Sequence, residues 1–115
     1  MLSLGAQMLG ATVLHAQLTL LATDKGGRWG SIKPGYRPTL SFGETDSAGR
    51  QKLHSCVVYF DEWLPSGPGS TLQVRLVPVD LSRWPAIKAE TNFQVMEGTR
   101  CVGKGKFALR RYPSI

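Results

Sequence analysis

Glycine and proline decide most of what this chain can become. Thirteen glycines and seven prolines are spread through 115 residues. They cut the sequence into apolar runs of strand length and leave few windows long enough for a helix. Alternation within the runs assigns them to β-structure. Thr12 to Ala22 (TVLHAQLTLLA) puts Leu14, Ala16, Leu18 and Leu20 on one face and His15, Gln17 and Thr19 on the other. Pro38 to Phe42 is a short second strand, and Leu53 to Phe60 is a third, rich in β-branched and aromatic residues. In Thr71 to Val79, Leu72, Val74 and Leu76 share one face; Phe93 to Met96 and Cys101 to Leu109 form a last hairpin around Glu97-Gly98-Thr99-Arg100. Leu81 to Thr91 has room for a helical turn, but Pro85 interrupts it, so it reads as a long connection. Six strands with turns between them and no alternating helices predict an antiparallel all-β barrel or sandwich.

A chain of this size has room for one core. Its charge balance, fourteen Lys and Arg against eight Asp and Glu, is +6 and favours an acidic partner such as RNA. Residues 100–111 hold Arg100, Lys104, Lys106, Arg110 and Arg111 with no acid. On a strand, Arg100, Lys104 and Lys106 share a parity and point to one face; the plainer reading is a solvated face that keeps the protein in solution. No apolar run approaches the ~20 residues of a membrane span. Met1 to Ala16 lacks the basic start of a secretion signal, so a cytoplasmic protein is expected. Cys56 and Cys101 lie in apolar strands without a disulfide framework and are expected to be buried free thiols.

Several chemistries fail on inspection. Gly98 to Lys104 reads G-x-x-x-x-G-K, but Gly105 stands where a phosphate-binding loop needs a magnesium-holding hydroxyl. A helix must also follow such a loop, so no nucleotide is expected. His54 and Cys56 share a strand parity, yet two ligands do not make a metal site; they read as a core thiol beside a semi-exposed ring. Asp61 and Glu62 point to opposite faces if in a strand and are read as turn charges. No nucleophile, base and orienting group assemble, so neither enzyme nor cofactor is indicated.

The segment Asp24 to Phe42 (DKGGRWGSIKPGYRPTLSF) is the most distinctive. Gly26-Gly27 makes a tight turn that thrusts Arg28 and Trp29 outward from a sheet rim. Gly35 permits a bend, Tyr36 buries its ring while keeping a hydroxyl handle, and Pro38 opens a strand. GGR, a spacer, GYRP, a strand, the polar hairpin Glu44 to Gly49, then Glu97-Gly98-x-Arg100 and Val102-Gly103-x-Gly105 follow in order. This pattern resembles the C-terminal (third) domain of the elongation factor Tu family over nearly the whole chain.

The resemblance implies a six-stranded antiparallel Greek-key β-barrel over residues 11–111, with an N-terminal extension at 1–10 and a tail at 112–115. In that family the domain touches the T-stem of aminoacyl-tRNA, packs on the GTPase domain and helps bind the nucleotide exchange factor. Carried over by position, Arg28, Trp29, Thr39, Glu97 and Gly98 are the RNA-facing candidates. The family usually has His at Trp29 and Gln at Thr39, and the loop Asp61 to Gly69 and the connection Asp80 to Thr91 are altered here. Neither a true phosphate-binding loop nor a guanine-reading N-K-x-D is present. Two readings follow. One is a non-catalytic barrel binding tRNA-like RNA or a translation component through this rim, with basic help from Arg100, Lys104 and Lys106. The other is a protein-protein module mimicking the factor's third domain to capture a toxin or exchange factor, anchored by exposed Trp29, Trp63 and Trp84.

Overall fold

Strand pairing in the computed structural model, which describes residues 12–108, closes the sheet on itself. The extension 1–10, the tail 112–115 and Leu109 to Arg111 lie outside the described residues. Six strands form: β1 (Leu14–Leu20), β2 (Thr39–Ser41), β3 (His54–Tyr59), β4 (Thr71–Pro78), β5 (Asn92–Glu97) and β6 (Arg100–Phe107). Their order around the barrel is β1-β4-β3-β2-β5-β6, and every pair is antiparallel. Hairpin-linked β2, β3 and β4 with β5 returning beside β2 make a Greek key. Of the barrel or sandwich that the runs predict, the fold is therefore the six-stranded antiparallel barrel, as the resemblance implies.

Closure leaves no edge but two ends. At the upper end β1, β3 and β5 finish and β2, β4 and β6 begin; the lower end is the reverse. Two connections cannot be hairpins, because their strands are not neighbours. The β1–β2 segment crosses the upper end and buries Ile32, while the β4–β5 segment crosses the lower end. Each holds one 3₁₀ turn, Thr23–Lys25 and Leu81–Arg83.

Inside, Leu18, Leu20, Leu40, Val58, Leu76, Val95 and Val102 are almost fully buried. Gly105 is part of this packing. A Cβ there would meet the Phe93 ring at 2.3 Å and the Gln17 carbonyl at 2.7 Å, so the aromatic occupies the space a side chain would need. Gly103 likewise lies against the Thr19 carbonyl, 2.9 Å from its Cβ position.

Four expectations change. Between Val95 and Met96 the β5–β6 register shifts: Val95 faces Gly103 and Met96 faces Cys101, so Val102 is the extra residue of a bulge. Val102 is 0% exposed although it has the parity of Lys104. Arg100 is thereby out of step with Lys104 and Lys106, and the three do not share a face. The same slip leaves Cys101 only half-buried, while Cys56 lies in the core. Trp84, expected at the surface, is 9% exposed. Its ring lies 5.4 Å from Phe42 and 5.7 Å from His54, plugging the lower end. His54 is buried rather than semi-exposed, and its Nε2 meets Glu44 Oε1 at 2.9 Å.

Trp84→Ala is expected to cost about 3 kcal/mol or more of stability by opening a cavity under the lower end. Trp63→Ala, at an 80% exposed position, should stay within about 0.5 kcal/mol; urea denaturation of both compares them directly. The thiols should also separate. Burial pushes the Cys56 thiol up to about 12, so a thiol reagent at neutral pH should reach it only through unfolding. Cys101 should label faster; equal rates in the native state would contradict the bulge.

Candidate functional site

The upper end gathers most of the residues that sequence reasoning selected. Gly26 and Gly35 sit at φ 93° and 94°, which turns the β1–β2 connection back over the barrel mouth. Gly27 packs so closely that a Cβ would fall 2.0 Å from the Leu21 carbonyl oxygen. These turns place Arg28 and Tyr36 over the end of β5, where Glu97 stands.

Glu97 joins the two. Its Oε2 accepts from Arg28 Nε at 2.6 Å and from the Tyr36 hydroxyl at 2.5 Å. The Arg28 guanidinium also lies 5.2 Å from the Tyr36 ring centroid, and its Nη1 donates to the carbonyls of Gly30 and Ser31 at 2.8 and 2.7 Å. Arg100 donates Nε to the Gly26 carbonyl at 3.1 Å and Nη2 to that of Gly27. Both arginines therefore hold the loop to the barrel. Arg28 is turned inward, not thrust out as expected.

The electrostatics agree with this geometry. Burial raises the Tyr36 hydroxyl well above its ordinary value, helped by its hydrogen bond to Glu97 and that residue's charge. Burial also works to raise Glu97, but the hydrogen bonds from Tyr36 and Arg28 and the charges of Arg28 and Arg100 outweigh it and hold the carboxyl below its usual range.

The other candidates separate into distinct places. Trp29 is 84% exposed, thrust outward at the rim as expected, and Trp63 is exposed on the neighbouring β3–β4 loop. That loop is bound to the first through the Ile32 amide on the Ser66 carbonyl and the Ser66 hydroxyl on the Ile32 carbonyl, both 3.0 Å. Gly98 is in the exposed turn between β5 and β6 with φ 63°. Thr39 is half-buried, its hydroxyl 3.5 Å from the Met96 carbonyl. Lys104 and Lys106 are away from the rim, on the outer barrel wall. Gly103 and Lys104 continue strand β6 without the helix that a phosphate loop requires. Among the described residues no group of three or more His, Cys, Asp and Glu side chains converges, and no helix is long and apolar enough to cross a membrane.

Sequence reasoning missed that Glu97 is the partner of Tyr36 and Arg28. The separations of 61 and 69 residues carry no local signal. No family model matches this chain.

The network makes stability depend on pH. Glu97 binds a proton less readily folded than unfolded, so its contribution is present above the unfolded glutamate value of about 4.3 and is lost as pH falls through the lower folded value. Tyr36 is shifted the other way; its contribution is intact below about 10 and is lost as pH climbs beyond. Glu97→Gln should lower stability by about 1 kcal/mol at neutral pH, allowing for partial exposure. It should also flatten the loss between about pH 5 and 3, as read by urea midpoints across that range.

Proposed function

We propose that this chain is a non-catalytic binding module related to the third domain of elongation factor Tu, and that its upper rim docks on a protein of the translation apparatus. The relationship is supported by how the motif residues meet. Arg28 of GGR, Tyr36 of GYRP and Glu97 of EG-x-R converge on one carboxylate oxygen, and Arg100 of the last motif holds the two glycines of the first. Short motifs far apart in sequence thus form one structural unit, the arrangement that a shared fold would retain.

The protein-docking reading rests on one observation: Trp29 and Trp63 are 84% and 80% exposed on two loops tied together at the same rim. Large aromatic side chains of this kind anchor protein interfaces. Two of the rim's arginines, Arg28 and Arg100, are occupied within the protein, which leaves Arg37, Lys25 and Lys33 as its exposed cations and weakens RNA recognition through the two motif arginines. A toxin or exchange factor that targets the factor's third domain is the partner class that this reading implies.

Capture from native cell extract with tagged chain tests it. At about 0.5 M salt, where charge contacts are screened, the wild-type rim should retain a translation protein. Each of Trp29→Ala and Trp63→Ala should weaken retention by about 2 kcal/mol. Retention of the same proteins by the double variant would overturn the assignment to the rim.

A further inference from the structure

All eight acidic residues lie at the two ends of the barrel. Asp24, Asp61, Glu62 and Glu97 are at the upper end, and Glu44, Asp46, Asp80 and Glu90 at the lower. The wall between them is acid-free where β4, β1, β6 and β5 adjoin. Register carries one outward row across these strands through Gln73, Gln17, Lys106 and Asn92. The next row runs through Thr71, Thr19, Lys104 and Gln94. Two residues along β6 separate the lysines, a rise of about 7 Å, and Arg75 extends the basic character onto β4.

We infer that this wall binds a single-stranded polynucleotide. Amides, hydroxyls and cations without carboxylates suit a phosphate backbone, to which a carboxylate is repulsive. A groove of about 630 Å³ runs along the rows, lined on its apolar side by Phe42, Phe93 and Gly105. Its volume is that of a small-ligand site, enough to receive an unpaired base beside the lysines. None of the large exposed apolar residues lies in these rows, so the wall lacks the anchors of a protein interface. Glu90 pairs with Lys106 at 3.0 Å on the lower margin and competes for that lysine. The wall is separate from the tryptophan rim, and its test stands apart from the rim's.

Fluorescence anisotropy with a labelled single-stranded RNA of roughly 10 nucleotides and the intact chain reads the binding. Lys104→Glu with Lys106→Glu should weaken it by about twentyfold or more near 0.1 M salt, the loss for two single-strand phosphate contacts. Removing Lys104 alone should lower the logarithmic salt slope by about 0.7. Glu90→Gln should tighten binding, a gain that damage to the fold does not produce. Lys52→Glu with Lys88→Glu, an equal charge change at the lower end, should have a much smaller effect, as should Trp29→Ala with Trp63→Ala. The inference is overturned if the lower-end pair is as damaging as the wall pair, if Glu90→Gln does not tighten binding, or if a duplex binds as well as the single strand. Retention of a protein through the rim, with no RNA bound even at low salt, overturns it equally.

Discussion

A closed six-stranded sheet solves the problem of exposed strand edges and creates another, because the core is open at both ends. This chain closes each end with the long connection that Greek-key order forces across it. The lower plug is mainly aromatic, with His54 held by Glu44 at its side: Trp84 packs beside Phe42, and Phe42, Phe93 and Phe107 continue the cluster into the barrel. The upper plug combines Ile32 with a polar knot in which Glu97 receives hydrogen bonds from Tyr36 and Arg28. An apolar plug needs only volume, whereas a half-buried carboxylate needs its donors in place. The glycines that turn the upper loop are therefore bound up with the chemistry of the knot.

That requirement has a consequence for recognition. An arginine that satisfies a partly buried carboxylate and two carbonyls has little capacity left for a ligand, so the basic residues most conspicuous at the rim serve the fold. Protruding aromatics remain there. Lys104 and Lys106 lie instead on the barrel wall, where outward strand positions are solvated by construction. The proposed docking rim and the proposed polynucleotide wall thus fall on different faces of one small barrel.

Much of this was legible in the residues. Period-two alternation located β1 and β4, which have one face in the core and one in water, while β-branched and aromatic content, breakers and the Glu97–Arg100 turn located the other four. The turn glycines marked where the chain reverses. Tyr36 was recognisable as a buried ring with a polar handle, but the handle's partner was not, because Glu97 reaches it only through barrel closure. Trp84 read as exposed because it lies beside a proline in a polar connection; only the order of the strands reveals that this connection crosses a barrel mouth. The error over Arg100 has a narrower cause. Parity counting assumes an uninterrupted strand, and the single extra residue at Val102 reverses every side chain before it.

The bulge and its glycines also bear on why the wall has its present form. Gly105 leaves room for Phe93 inside, and the inward position of Val102 fills the core where the strand bends; neither requirement specifies what stands on the outer surface. Folding alone would be served as well by mixed charges across neighbouring strands, since opposite-sign cross-strand pairs stabilise and like charges on one face repel. Here Lys104 and Lys106 share the face, with threonine, glutamine and asparagine opposite them and no carboxylate in either row. Acids are abundant enough to have been placed there, yet they stand at the ends. A sheet face that keeps two lysines side by side beside a groove, with only Glu90 at its margin to pair one of them, fits the polynucleotide ligand proposed for it better than the needs of the barrel.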